Sequence, residues 1–385
     1  MGNKILLIFR SAGMILFMGL IGWSCTSDQI GLELPEIEQP PPQAYIGSAE
    51  CAVCHTDIYN SFMTTGHPYK LMKVEGGKAP EYPFTILDYT PSGYTWDNLT
   101  YVIGGYYWKA RYIDSNGYIV TGDDVQWNFE TQEAVAYHAD EEPGTKMYDC
   151  GRCHTTGWVS VDDGGDPQDD LDGMAGEFYA PGIQCEACHG EGAIHQYTKS
   201  KDDIVLDRSS ELCGSCHYRN EDHTIAASGG FIKHHEQYDE MIAAGHSVLS
   251  CNDCHDPHKT TKHGQMGGIT KTCTDCHTEI VNGQDHRGVA DCETCHMPYA
   301  SKTAVARTKY QADIMTHIFK INVDADGEMF NEDGTLANGS TGVTLDYVCY
   351  RCHKDPEGVG GSPDFPATSR KTMEELSEYA TGYHD

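Results

Sequence analysis

Eight Cys-x-x-Cys-His motifs, a low apolar fraction and one Tyr- and Trp-rich stretch predict a mainly α and irregular fold. It should be cored by covalently attached cofactors and carry a small antiparallel β insert. The motifs are Cys51-Cys54-His55, Cys150-Cys153-His154, Cys185-Cys188-His189, Cys213-Cys216-His217, Cys251-Cys254-His255, Cys273-Cys276-His277, Cys292-Cys295-His296 and Cys349-Cys352-His353, and they use all but one of the 17 cysteines. Two thiols one helical turn apart reach the two vinyl groups of a porphyrin, and the adjacent imidazole binds its iron. Zinc knuckles or disulfides do not need a His after every second Cys. With 20 His in 385 residues, that position would be His by chance about one time in twenty. The pattern therefore predicts eight covalently bound haems c, with the eight motif histidines as proximal iron ligands.

Apolar residues make up 39% of the chain, against about 45–50% in ordinary globular proteins. Haem supplies the missing apolar surface. Seven of the motifs crowd between Cys150 and His353, which leaves no room for a conventional core, so the chain without haem should be largely unfolded. Net charge is −32 before any haem propionate is counted, which excludes nucleic acid as a natural partner. Such a charge suits solubility, or steering of cationic and metal-bearing partners.

Along the chain, residues 1–24 read as an export signal, with Lys4 and Arg10 ahead of an apolar run, Met14–Ile21, too short to span a membrane. Haem attachment is completed outside the bacterial cytoplasm, so signal and motifs agree. Cys25, the seventeenth cysteine, follows Gly22-Trp23-Ser24 where a lipoprotein signal would be cut, although Gly22 and Trp23 depart from the usual pattern. Lipidation of Cys25 and simple cleavage beside an incidental Cys are the two readings. Residues 25–45 are acidic and Pro-rich, including Pro40-Pro41-Pro42, and read as a tether. A lipid on Cys25 would hold the chain to a membrane face without spanning it, in the periplasm, at the outer membrane or on the cell surface.

Residues 46–385 read as one haem-cored body. The first motif stands apart, with 94 residues between His55 and Cys150. Within that gap the β insert is placed at about 82–128. Tyr101–Ile103 precedes Gly104-Gly105, and Lys109–Ile113 and Tyr118–Val120 flank the turn Asp114-Ser115-Asn116-Gly117. The eighth motif follows a further 52-residue gap after His296. Helices should be short, with one over Phe231–Ala244 and the clearest over Ser369–Ala380.

Twelve histidines remain for the distal faces of eight irons. His67, His138, His195, His234, His235, His246, His258, His286 and His317 are the candidates, one more than is needed. His234 and His235 would diverge by about 100° on a helix and could serve different haems. His223, His263 and His384 read as solvent residues. Two acidic loops, Asp162–Asp172 and the one beginning Asp324-Ala325-Asp326, are solvated loops or calcium sites beside propionates.

Gly47-Ser48-Ala49-Glu50-Cys51 with Tyr59 and His67, then Gly182-Ile183-Gln184-Cys185-Glu186-Ala187-Cys188-His189-Gly190, resemble the multihaem cytochromes related to the tetrahaem electron acceptor of hydroxylamine oxidoreductase. His234-His235-Glu236-Gln237-Tyr238 and Cys295-His296-Met297-Pro298 are similar to the same group. The resemblance covers most of 46–355 and implies a helical and irregular fold with haems in parallel and perpendicular pairs. Its members include carriers, reductases of nitrogen or sulfur compounds, and extracellular conduits.

Bis-His ligation throughout would give low-potential, coordinatively saturated iron. That is an electron carrier between redox proteins, other cytochromes or quinol-linked donors, with haems 1 and 8 as its ends. A reductase of nitrite, hydroxylamine or tetrathionate would need one open iron. Lysine replaces the motif His in some such enzymes, and this chain contains no Cys-x-x-Cys-Lys. A conducting filament would need a surplus His, such as His384 or His67, donated to a neighbouring chain.

Overall fold

The computed structural model describes residues 39–384 apart from 265, 281–285, 287–288 and 362–369, so the signal and Cys25 lie outside the described residues. The longest described helix has 8 residues. Irregular backbone dominates, as expected, but helix does not: strands carry much of the regular structure. The motifs themselves keep helices short, because each is one helical turn. In five of them the His N–H donates to the carbonyl of the first Cys at 2.9–3.0 Å: His55, His217, His255, His277 and His353. That turn places both thiols and the imidazole on one side. Three of these turns begin with a reciprocal cap, Ser250 with Asp253, Thr272 with Asp275 and Asp291 with Thr294. The residue before the first Cys is the N-cap, and the residue after Cys-x is its partner.

The β element is larger than the sequence suggested. Strands β1 (Leu71–Lys73), β2 (Leu99–Gly104), β3 (Lys109–Asp114), β4 (Gly122–Asn128) and β5 (Glu133–Tyr137) form one antiparallel sheet in sequential order. Tyr118–Val120 is not a strand of its own. It pairs with β3 through the Ile113–Ile119 bridge, and β4 then pairs with β3 at Trp127–Ala110 and Asn128–Lys109. Both faces of the sheet are covered. Tyr101, Ile103, Ile113 and Ile119 pack with Tyr148, Met174 and Phe178 on one side. Leu99, Val102, Ala110 and Tyr112 pack with Leu87, Val120 and Val125 on the other. Alternation at period two assigns Tyr112 and Ile113 to opposite faces. A register shift between Leu99 and Tyr101 breaks the alternation there.

The helix expected over Phe231–Ala244 is instead a strand, a turn and a shorter helix. Ile225–Ser228 and Phe231–Lys233 pair as a hairpin around Gly229-Gly230, and the helix runs only from Gln237 to Ala243. His235 sits at φ 73°, which no helix allows, so His234 and His235 diverge across a turn rather than on a helical face. Phe231 and Ile232 belong to a third buried cluster with Ile225, Ile318, Val343 and Tyr347. The C-terminal helix spans Met373–Ala380, shorter than expected, and Ser369 lies outside the described residues. Residues read as tether also touch the body: Gln43 Nε2 donates to the Glu191 carbonyl at 2.6 Å, and Tyr45 stacks on Tyr179 at 4.9 Å.

Candidate haem-binding chain

Each motif histidine faces a further histidine across nearly the same gap, and His217 faces two, since His235 also lies 6.0 Å from it. Ring centroids are 6.2 Å apart for His55 and His195, 6.5 Å for His154 and His235, and 6.1 Å for His189 and His258. They are 6.4 Å for His217 and His67, 6.2 Å for His255 and His317, and 6.2 Å for His277 and His246. The last two pairs are His296 with His384 at 5.9 Å and His353 with His286 at 6.3 Å. A metal about 2 Å from each of two imidazole nitrogens, with each nitrogen roughly 1 Å from its ring centre, needs about 6 Å. The gap is that of one iron between two ligands.

Of the nine distal candidates, His67, His195, His235, His246, His258, His286 and His317 stand opposite a motif imidazole. His138 does not: its Nδ1 bonds Glu141 Oε1 at 2.6 Å at the surface, and its ring packs edge-on against Tyr137. His234 is turned to Arg219, whose guanidinium lies 3.3 Å from its Nε2. His384, set aside as a solvent residue, faces His296. Its position two residues beyond Gly382, past the C-terminal helix, gave no local signal. His223 pairs with Asp239 at 2.9 Å, and His263 contacts the Tyr106 carbonyl at 3.2 Å.

Hydrogen bonds aim several of these rings. Nδ1 lies 2.7 Å from a backbone carbonyl in His189 (Val205), His195 (Ser200) and His296 (Phe319), so the N–H sits there and Nε2 is left as the ligating atom. His317 is placed by the buried Glu240 carboxylate, which accepts from its backbone N–H, from Thr316 Oγ1 at 2.9 Å and from Ser301 Oγ at 3.1 Å. Burial raises the Glu240 carboxyl to about 7. Burial also holds His67, His154 and His317 at about 3, neutral at physiological pH, the state an iron ligand requires.

The protein around these pairs fits haem. A continuous cavity of about 2550 Å³ runs past motif residues of the first seven sites. Val53, Ile58 and Leu206 line it and are 75%, 49% and 62% exposed, apolar surface of the kind a macrocycle covers. Among the described residues no group of three or more His, Cys, Asp and Glu is gathered to hold a further metal ion. In the two acidic loops Asp169 binds Lys73 at 2.7 Å, and Asp324 accepts from the Asp326 N–H at 3.0 Å.

Cysteines of different motifs also meet. Cys51 interacts directly with Cys185, Cys153 with Cys216, Cys213 with Cys251 and Cys273 with Cys292. Weaker electrostatic contacts join Cys188 to Cys216, Cys254 to Cys276 and Cys295 to Cys352. These sulfurs stand where thioethers to the porphyrin edge would be. The motifs therefore neighbour one another in the order 1–3–4–5–6–7–8, with motif 2 branching from motif 4.

Residues 124–190 match the family model of cytochrome c554 and c-prime. Multiheme cytochrome MtrA of Shewanella baltica (strain OS185) is 28% identical over 142 residues, which cover 32% of this chain and 37% of that protein. Over these segments the chain is similar to multihaem c-type cytochromes. Two solved structures share its fold. The outer cell wall cytochrome OcwA aligns with a TM-score of 0.54 at 16% identity, covering 87% of this chain and 86% of OcwA. The octaheme sulfite reductase MccA of Wolinella succinogenes aligns with a TM-score of 0.56 at 17% identity, covering 80% of this chain and 65% of MccA. Among the described residues no helix of this chain is long and apolar enough to cross a membrane.

Proposed function

We propose that this chain is an electron-transfer conduit of the bacterial cell envelope, carrying eight bis-His haems c. The observation that carries the reading is the set of eight imidazole pairs at 5.9–6.5 Å, one for every motif. Bound haem supplies one-electron carriage. The protein's part is to fill both faces of each iron and to hold neighbouring sites edge to edge. The neighbour order makes sites 1 and 8 the two ends and site 2 a side branch. Partners on this reading are redox proteins, other cytochromes or quinol-linked donors. Intact mass should show eight haem increments, and a redox titration should show reversible reduction over a broad low-potential range without turnover of nitrite, hydroxylamine or tetrathionate. Steady turnover of any of them would reverse the assignment.

A second reading attaches to site 2. His235 lies 6.5 Å from His154 but also 6.0 Å from His217, so it could serve site 4 and leave site 2 open. Lys70, Lys109 and Arg111 act electrostatically on His154. The Lys70 ammonium, whose pKa burial lowers, has no hydrogen-bond or ion-pair partner among the described residues. Such cations would suit a small oxyanion, and the similar fold of an octaheme sulfite reductase adds to this alternative. Electron paramagnetic resonance separates the two. The conduit expects eight low-spin ferric haems, with one turning high-spin in His235→Ala and none in His138→Ala. A stoichiometric high-spin signal in the unaltered protein favours the reductase. The filament reading would need a surplus ligand other than His67 and His384, which face motif histidines of their own chain.

We further propose that Cys25 is the lipidated N-terminus and that the Pro-rich stretch behind it tethers the body to a membrane face. Cys25→Ala should release the protein from membranes and abolish acyl labelling. Unchanged membrane association would remove the idea.

A further inference from the structure

Lys70 lines the cavity, and its ammonium has no counter-charge among the described residues. The groups that act on it are Cys216 and a second lysine, Lys262, and no carboxylate is among them. Lys262 itself is answered by Asp313 and by the rings of Tyr107 and Trp108. The backbone holds Lys70 in place. Its N–H donates to the His67 carbonyl at 3.3 Å, and its carbonyl accepts from the Gly104 N–H at 3.0 Å. The next residue, Leu71, starts β1 and is fully buried, so alternation turns Lys70 to the opposite face, toward the cavity. There Lys70 acts electrostatically on His154 and His235, the pair of site 2, and on His217 and His67, the pair of site 4. It acts also on Cys216, the site 4 thiol that meets Cys153 of site 2. Lys70 thus stands at the junction where the branch leaves the main order of sites.

We propose that Lys70 is the counter-ion of a haem propionate at the junction of sites 2 and 4, and that it makes these two irons easier to reduce. The proposal rests on the conduit reading, in which both faces of every iron are filled. A charge taken out of water needs a partner of opposite sign. Covalent haem brings two carboxylates to each site, and either haem of the junction can supply one. Reduction removes one positive charge from an iron, so a cation fixed nearby favours the reduced state. Without Lys70 the propionate charge stands uncompensated and both irons hold the oxidised state to lower potential. The lysine therefore draws electrons toward the branch point.

The test is a redox titration of the full haem-loaded protein, followed by electron paramagnetic resonance. In Lys70→Met two of the haems should titrate at lower potential, with haem count and low-spin signals unchanged. Lys70→Gln takes its place if the apolar side chain prevents folding. Lys70→Arg keeps the charge and should leave both potentials where they are. Lys73→Met, three residues further along and paired with Asp169, should move none. A structure of the haem-loaded protein identifies the source, by placing a propionate of the site 2 or the site 4 haem within hydrogen-bond distance of Lys70 Nζ. Unmoved potentials in Lys70→Met, or an ammonium remote from both propionates, overturns the counter-ion and leaves the conduit standing. A high-spin haem present before any substitution, with nitrite turnover that Lys70→Met abolishes, overturns the conduit reading instead and makes Lys70 a substrate-binding cation.

Discussion

Removing the fourth haem attachment by Cys213→Ala with Cys216→Ala should abolish recovery of folded protein. Site 4 borders sites 2, 3 and 5, through Cys153 with Cys216, Cys188 with Cys216 and Cys213 with Cys251. The protein around it cannot close over the gap. The four apolar clusters among the described residues belong to the sheet and the C-terminal half, and none is centred on the motifs between Cys185 and Cys276. A macrocycle lost there leaves a void lined by exposed apolar side chains, and cavity cost scales with the volume that cannot collapse. On the proposed count of eight haems, the comparable change at the first motif, Cys51→Ala with Cys54→Ala, removes an end of the chain of sites, so a folded protein with one haem fewer should still be recovered. Haem content and far-ultraviolet circular dichroism of the two variants decide the matter. Equal yields would show that site 4 is not structurally central.

Glu186→Ala should detach site 1 from the body. This carboxylate is buried inside the third motif, yet it binds three backbone N–H groups that belong to the first site. Oε1 accepts from Ile46 at 2.9 Å and from Gly192 at 2.9 Å, and Oε2 accepts from Gly47 at 2.8 Å. Ile46 and Gly47 lead into the helix Ser48–Ala52 with Cys51, and Gly192 precedes the helix Ala193–Thr198 with His195. One side chain thus aligns both ligand-bearing segments. Hydrogen bonds to a charged acceptor contribute about 1.5–3 kcal/mol each, so the joint loss of three should cost about 5–9 kcal/mol locally. Glu186→Gln keeps one acceptor oxygen and should lose less. The expected signature is one high-spin haem per chain in Glu186→Ala, a smaller fraction in Glu186→Gln, and an earlier first unfolding step by circular dichroism. A fully low-spin Glu186→Ala protein would show that Glu186 does not position site 1.

What the sequence alone determined is local. The eight Cys-x-x-Cys-His motifs and the net charge are read from residues within a few positions of one another and from composition, whereas the expectation that no conventional core would form is corrected by four buried apolar clusters. A Cys-x-x-Cys-His turn is closed by its own backbone hydrogen bond and needs no distant partner to form. Strand β2, β3 and the turn after Asp114 were legible for the same reason. The wider sheet was not, because β1 and β5 are short strands recognised only through their pairing.

Only the tertiary structure decided which imidazoles face one another. His138 and His234 look as suitable as His235 in sequence, yet Glu141 holds the first at the surface and Arg219 holds the second. His384 has no motif beside it, and it acquires one only because the C-terminal helix docks through Leu376. The same holds for the order of the sites. Sequence order would place site 2 between sites 1 and 3, whereas the contact of Cys51 with Cys185 joins 1 to 3 directly and leaves site 2 on a branch. A distal ligand and a neighbouring haem edge are both contacts between segments far apart in sequence, and such contacts are set by packing rather than by local spacing.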